Sequence, residues 1–217
     1  MTLQFFGHPF SSYTQKVLIA LWADGTPFEY RPLDPEHPAN GEELKRHSPF
    51  GQFPLLIDDD LALFESTPII EHLQARHAGP NRWIPDGALG RRVRFLDRFF
   101  DLHVMNNMQA IVGDALRPQG SGDPYGVARS RERLGIAYRW LEGAIGDEWA
   151  AGDSFTLADC AAAPSLFYAD WVEPIGTDNP KLAAYRRRLL AHPAVARVVD
   201  EGRKYRPFFP LGAPERD

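Results

Sequence analysis

Short apolar runs alternate with helical patterns in the first third of the chain, and Gly or Pro residues separate them. Strands are predicted near residues 3–6, 27–33, 54–57 and 61–64, and helices near 13–24, near 42–46 and after Ser66 as the N-cap residue. A helix separates the first two strands, which predicts a parallel pair, and an Asp-Asp-Asp turn predicts a hairpin of the last two. Residues 1–77 are therefore predicted to form a small α/β domain.

Strand patterns are absent from the rest of the chain. Residues 78–87 carry four Gly or Pro residues and no regular period, which predicts a linker. Helical patterns then cover residues 88–116, 125–145, 157–172, 180–191 and 194–203. Residues 88–217 are therefore predicted to form an all-α domain.

Composition narrows the possible functions. The 24 Lys and Arg residues against 29 Asp and Glu residues give a net charge of -5, which argues against nucleic acid as a partner. The single cysteine, Cys160, excludes an internal disulfide and a Cys-x-x-Cys redox pair, and nothing basic accompanies it, so we expect a buried thiol. No apolar run reaches membrane-spanning length, the start of the chain lacks a basic segment, and a cytoplasmic location without membrane contact is predicted.

Three places in the predicted α/β domain combine groups suited to a peptide-like ligand. Ser11 and Ser12 precede the first helix, where hydroxyls and free N–H groups either cap the helix or hold an anion. Pro54 opens a strand, so a cis bond would turn the Phe53 backbone outward. Glu65 and Ser66 begin another helix and could hold an ammonium and a carboxylate side by side.

These motifs, in this order, resemble the glutathione transferase family. The resemblance rests on residues 5–21, on SPFGQFPLL at 48–56 and on FESTPIIEHL at 64–73, and it continues to a capping motif, GDSFTLAD, at 152–159. It implies a thioredoxin-like domain that binds glutathione as co-substrate. It also implies an all-helical domain that forms the wall for a small hydrophobic electrophile, and a homodimer.

The resemblance also implies residue roles. Phe53, beside a cis Pro54, would pair its backbone with the cysteinyl part of glutathione, and Gln52 would lie next to the peptide. Glu65 and Ser66 would hold the γ-glutamyl end.

Tyrosine classes of the family are excluded because Phe5 and Phe6 end the first strand. Ser11 matches the serine of zeta-type classes, which donates to the sulfur and favours the thiolate, with Ser12 and Tyr13 as alternatives. The expected reaction is attack of the thiolate on the electrophile. A zeta-type isomerase, a peroxidase on the same frame and a binding module without turnover stay open.

The co-substrate wall is expected within residues 99–109, opposite Phe10. Met105, Asn106 and Met108 are the candidates there, although Met residues at helical spacing also fit a core. No metal is expected, because His72 and His77 are five residues apart and would not share a helical face. Asp97 and Asp101 interleave with arginines over 91–98, which favours a solvated or ion-paired helix face.

Overall fold

The computed structural model describes residues 3–217, and its sheet has the strand order β2-β1-β3-β4. The strands are β1 (Leu3–Gly7), β2 (Phe28–Pro32), β3 (Leu55–Asp58) and β4 (Leu61–Leu63). β1 is parallel to β2 and antiparallel to β3, and β3 and β4 form an antiparallel hairpin. The predicted parallel pair and the predicted hairpin are therefore confirmed.

Three helices accompany the sheet: α1 (Ser12–Asp24), α2 (Pro38–His47) and α3 (Ser66–Arg76). Gly25 ends α1 in the left-handed conformation, with φ 64°, and its N–H donates to the carbonyls of Leu21 and Trp22. The predicted N-cap of α3 is wrong by one residue. Glu65 has the extended backbone of a cap and its carbonyl accepts from the N–H of Ile69, so Ser66 is already helical.

The remaining elements are helical. They are α4 (Gly87–Phe99), a π-helical segment (Phe100–Met105), α5 (Asn106–Ala115), α6 (Pro124–Ala144), α7 (Leu157–Val172), α8 (Pro180–Ala191), α9 (Pro193–Gly202) and a 3₁₀ segment (Arg203–Phe208). Thr156 and Asp159 form the predicted capping box at the start of α7. The predicted fold class, α/β followed by all-α, is confirmed, and within residues 3–217 no helix is both long enough and apolar enough to span a membrane.

One apolar core runs through both parts of the molecule. It joins side chains of β1, α1 and α3 to side chains of α4 and α7. Trp83, between α3 and α4, is fully buried, and its Nε1 donates to Asp24 Oδ2 at 2.7 Å. Cys160 is also buried, as expected, and burial raises the pKa of its thiol.

A buried ion-pair network lies where α1, α3 and α4 meet. Lys16 Nζ lies 2.6 Å from Asp97 Oδ1 and 3.0 Å from Asp101 Oδ2, and all three residues are buried. Thr67 Oγ1 accepts from Lys16 at 3.0 Å and donates to Asp97 Oδ2 at 2.9 Å. Both acids are therefore ion-paired, as one of the two predicted alternatives had it, but their partner is Lys16 and not the neighbouring arginines, and they are buried and not solvated. The acids point into the protein because the positive charge of Lys16 compensates their burial. Lys16 precedes Asp97 by 81 residues in the sequence, so no local pattern shows this pairing.

Candidate functional site

Ser11 lies between β1 and α1 and is the N-cap residue of α1. Its Oγ accepts a hydrogen bond from the N–H of Thr14 at 3.3 Å. A hydroxyl that accepts one hydrogen bond still has its own proton to donate, and the positive end of the helix dipole lies beside it. Ser11 therefore caps the helix and can also stabilise an anion.

Side chains of α1 and α7 hold the loop that carries Ser11. Gln15 Nε2 donates to the carbonyl of Pro9 at 2.8 Å and to the hydroxyl of Tyr168 at 3.1 Å. The Tyr168 hydroxyl in turn donates to the carbonyl of Phe10 at 2.9 Å. The helical domain therefore fixes the backbone on which Ser11 sits.

A polar groove of about 480 Å³ opens in front of Ser11. It brings together the three motifs that the sequence singled out, together with residues from α4, the π-helical segment and α5. Its lining is Ser11, Tyr13, Gly51, Gln52, Phe53, Pro54, Phe64, Glu65, Ser66, Arg98, Asp101, Leu102, Asn106 and Gln109.

The segment that leads into β3 forms one side of the polar groove. Gly51 has φ 63°, a conformation that favours glycine, and its N–H donates to the carbonyl of Ser48 at 3.0 Å. The Phe53–Pro54 peptide bond is cis, as expected. Gln52, Phe53 and Pro54 all line the groove just before β3 begins.

The start of α3 forms another part of the groove. Glu65 is exposed and its side chain makes no capping hydrogen bond, while Ser66 is buried in the first turn. Arg98 and Asp101 approach from the helical domain. The groove thus offers two carboxylates for an ammonium, and a guanidinium and a helix N-terminus for carboxylates.

The two alternatives to Ser11 have different surroundings. Burial, and then the negative charges of Asp101 and Glu65, raise the pKa of Tyr13, so its phenol stays protonated and is a hydrogen-bond donor. Ser12 is buried and does not line the polar groove. Of the three, Ser11 and Tyr13 line the groove.

A second cavity, the apolar pocket, adjoins the groove and measures about 440 Å³. Ser11 and Gln109 line both cavities. The lining of the apolar pocket is Phe10, Ser11, Ser12, Met108, Gln109, Val112, Gly113, Leu116, Tyr168, Phe208, Phe209 and Pro210.

The candidates for the co-substrate wall divide between these places. Phe10 and Met108 line the apolar pocket, whereas Asn106 lines the polar groove. Met105 is 1% exposed and belongs to the core, so its expected place in the wall is wrong. The expectation assumed an even helical period through residues 88–116, and the π-helical turns before Asn106 change which side chains face inward.

Sequence reasoning missed several residues that line the two cavities. Arg98 lies just before the stretch expected to form the wall, residues 99–109, and Asp101 and Gln109 lie within that stretch but are not among its candidates. Phe208 and Phe209 lie beyond the last predicted helix. Two aromatic residues followed by Pro210 in a segment without helical period were a usable signal for a binding wall.

His72 and His77 lie close together, contrary to the prediction that they would not share a helical face. Their ring centroids are 5.9 Å apart, although their spacing predicted separate faces. His77 is the residue after α3, with φ -130° and ψ 41°, so the helical period does not apply to it. Both Nε2 atoms approach Asp58.

The fold and the two cavities define a two-domain protein with a thioredoxin-like N-terminal part. The family model "Glutathione S-transferase, N-terminal domain" matches residues 5–81, and "Glutathione S-transferase, C-terminal domain" matches residues 124–188. The chain belongs to the glutathione S-transferase family.

Individual relatives match most of the chain. The chain is 31% identical to a Stringent starvation protein A homolog from Coxiella burnetii, over 85% of this chain and 81% of that protein. It is 28% identical to Glutathione S-transferase 1 from Triticum aestivum, over 96% of each chain. Among solved structures, a glutathione S-transferase from Methylobacterium radiotolerans in complex with glutathione sulfonate is 26% identical, with a TM-score of 0.78 over 92% of this chain and 95% of that one.

These matches confirm the predicted family and the enzyme class, glutathione S-transferase. Members of this family bind glutathione, and the Methylobacterium radiotolerans structure holds glutathione sulfonate. The serine-type subclass, the residue roles and the cytoplasmic location stay predictions.

Proposed function

We propose that the protein conjugates glutathione to a small hydrophobic electrophile, with Ser11 as the residue that stabilises the thiolate. The tripeptide occupies the polar groove, with its cysteinyl backbone at Phe53 beside Pro54 and Gln52. Its γ-glutamyl end lies at Glu65 and Ser66. The electrophile occupies the apolar pocket, and the sulfur–carbon bond forms where the two cavities meet.

The shared position of Ser11 is the observation that carries this proposal. A tripeptide in the polar groove must direct its sulfur toward the electrophile, so the sulfur has to lie at the junction of the two cavities. Ser11 lines both cavities, whereas Tyr13 lines only the groove and Ser12 only the apolar pocket. Ser11 is therefore the hydroxyl best placed to donate to the sulfur.

The energy required is within reach of this site. A free thiol has a pKa of about 8.5, and lowering it by about 2 units requires about 2.7 kcal/mol of preferential stabilisation of the thiolate. A hydrogen bond to a charged group contributes about 1.5–3 kcal/mol, and a helix N-terminus adds about 0.3–1 kcal/mol. The Ser11 hydroxyl at the start of α1 supplies both.

The variant Ser11→Ala tests the proposal. We expect kcat to fall much more than the affinity for glutathione, because the hydrogen bond is strongest to the ionised sulfur. The variant also loses a helix cap, which costs about 0.5–2 kcal/mol of stability. Asp123→Ala is the matched control, since it removes the N-cap side chain of α6, which accepts from the Gly126 N–H, and Asp123 lines neither cavity. Unchanged kcat in Ser11→Ala would transfer the role to Tyr13 or Ser12.

A binding module without turnover is the second candidate function. The relative from Coxiella burnetii supports this candidate, because it is named a stringent starvation protein A homolog and not a transferase. Ultraviolet difference absorption during glutathione titration separates the two candidates. A thiolate band at neutral pH supports the enzyme, and binding without that band supports the module.

Related chemistry on the same frame gives distinct products. A zeta-type isomerase or a peroxidase would use the same groove and the same thiolate. A screen against aryl halides, unsaturated carbonyls, maleylacetoacetate analogues and hydroperoxides identifies the reaction by its product: a thioether conjugate, a cis–trans isomer or oxidised glutathione.

We also propose a homodimer, and the apolar face formed by α4, the π-helical segment and α6 supports it. Phe95, Leu102, Ile136 and Trp140 are all exposed there, around a groove of about 640 Å³. Leu102 and Asn106 line this groove and also the polar groove, so a second copy would border the glutathione site. Sedimentation of the purified chain tests this, and a monomer at micromolar concentration would contradict it.

A further inference from the structure

Three metal-ligating side chains converge outside both cavities. Asp58 Oδ2 lies 2.7 Å from His72 Nε2 and 2.7 Å from His77 Nε2. The three ligand atoms all lie within 4.8 Å of one another. Asp58 ends β3, His72 lies on α3 and His77 follows that helix, so three separate backbone positions direct their side chains to one point.

The surroundings of this point admit a hydrated cation. Asp58 and His72 side chains are 14% exposed and His77 is 32% exposed, so the nitrogen and oxygen atoms are neither sealed in the core nor free in solvent. Asp59 and Asp60 follow Asp58 on the surface and add negative charge beside it. A cation bound here would keep one coordination position open to water.

Other histidine–carboxylate contacts in the molecule are different. His37 contacts Asp34 at 2.7 Å and His47 contacts Glu43 at 3.0 Å, in each case one imidazole to one carboxylate. Among the described residues, the group at Asp58 is the one in which three potential ligands meet. One hydrogen bond is enough to tie α3 to the β3–β4 turn. The second imidazole at the same oxygen is not needed for that contact, and metal binding would account for it.

We propose that Asp58, His72 and His77 bind a divalent transition-metal ion, with Zn²⁺ as the best match. Two imidazole nitrogens and one carboxylate oxygen are ligands that zinc prefers, at about 2.0–2.2 Å from the ion. Ligand atoms of a tetrahedral site are about 3.3 Å apart, so each nitrogen would move about 0.6 Å away from the carboxylate oxygen. Rotation of these partly exposed side chains would supply that shift.

The location assigns the ion a structural role. β3 follows directly after Pro54, and α3 begins at Ser66, so the same two elements carry the glutathione contacts at their other ends. The 11 steps from Ser66 to His77 correspond to about 16 Å along α3, so the ion would lie at the opposite end of this helix from the groove. The ion would tie the end of β3 to the end of α3 and stabilise the frame of the groove.

Zinc binding to the full chain, purified without a polyhistidine tag, tests the proposal. Titration calorimetry should show one Zn²⁺ per chain, and zinc should raise the melting temperature, whereas Mg²⁺ should do neither because it prefers oxygen ligands. His72→Gln and His77→Gln each keep a donor for Asp58 but remove an imidazole. We expect each to weaken zinc binding about tenfold or more, and the double variant to abolish the melting shift.

His47→Gln is the matched control, because it removes a surface histidine that also contacts a carboxylate, and its zinc binding should equal that of the unaltered chain. Absence of binding at 100-fold excess over a micromolar protein concentration would overturn the proposal. So would zinc affinity that survives in the double variant. If a variant fails to fold, the visible spectrum of the Co²⁺-loaded unaltered chain decides: tetrahedral nitrogen and oxygen ligation supports the site, and an octahedral aquo spectrum contradicts it.

Discussion

The two sides of the candidate glutathione site are built in different ways. The thioredoxin-like side uses the ends of elements: the N-cap Ser11, the Pro54 entry to β3 and the N-cap Glu65. The helical side uses side chains inside the unbroken helical stretch of residues 87–115, such as Asp101 and Gln109. Positions at element ends are marked by Ser, Pro, Gly and Asx residues, whereas positions within a helix depend on its rotation.

Side chains of the helical domain hold the thioredoxin-like side of the site in place. Tyr168 of α7 holds the carbonyl of Phe10, next to Ser11. Lys16 of α1 forms ion pairs with Asp97 and Asp101 of the helical domain. Side chains of the helical domain therefore hold the backbone beside Ser11 and the lysine of α1 that follows it.

Lys16→Met would remove the cation that joins the two domains. Of the variants in this Discussion, we expect it to lower the free energy of unfolding the most. It leaves Asp97 and Asp101 buried without their cation, and removal of one partner of a buried ion pair costs about 3–5 kcal/mol. Urea denaturation followed by circular dichroism measures the loss in free energy of unfolding. Adding Asp97→Asn and Asp101→Asn to the same chain should recover part of it, because the uncompensated charges are gone.

Lys45→Met is the matched control. Lys45 pairs with Glu42 at 2.8 Å, but both side chains are more than 60% exposed, so this change should alter stability by about 0.5 kcal/mol or less. An equal loss in the two lysine variants would mean that the buried network does not join the domains.

The same difference explains what the sequence could predict. Strand and helix positions were recovered closely, because apolar periodicity and Gly or Pro boundaries are local signals; Gly25 and the Thr156–Asp159 capping box are examples. Ser11, Pro54 and Ser66, which local signals marked, line the same groove, and their roles in binding stay predictions. Met105, Asp97 and Asp101 were misplaced, because their directions depend on a π-helical segment and on Lys16, which is distant in sequence. His77 was misplaced because the end of α3 was not resolved to one residue.

A pair of variants on the helical side sharpens the distinction between core and wall. Met105→Ala should cost about 2–5 kcal/mol of stability, because Met105 is buried in the core. Leu116→Ala should leave stability almost unchanged, because Leu116 is 69% exposed, yet it lines the apolar pocket. We expect Leu116→Ala to raise the KM for an apolar electrophile about tenfold while the KM for glutathione stays constant.

Leu61→Ala is the control for this pair, since Leu61 is an exposed leucine on β4 that lines neither cavity. Steady-state kinetics with both substrates varied gives the two KM values. If Leu116→Ala raised the KM for glutathione and not the KM for the electrophile, the assignment of the apolar pocket to the electrophile would be contradicted.

The smallest expected effect concerns the pH dependence of stability at Asp101, which borders the groove from the helical side. Burial raises the pKa of Asp101 above its ordinary value, 3.8, and Lys16 opposes that shift without cancelling it. The folded state then holds this proton more tightly than the unfolded state, so the contribution of Asp101 to stability falls as pH rises from the ordinary pKa through the raised one. Asp101→Asn lacks this titration. The free energy of unfolding of the unaltered chain minus that of the variant should therefore decrease across that window, as measured by urea denaturation at a series of pH values. An increase instead would show that attraction to Lys16 exceeds the effect of burial, and that the helical side presents a fully ionised carboxylate to the groove.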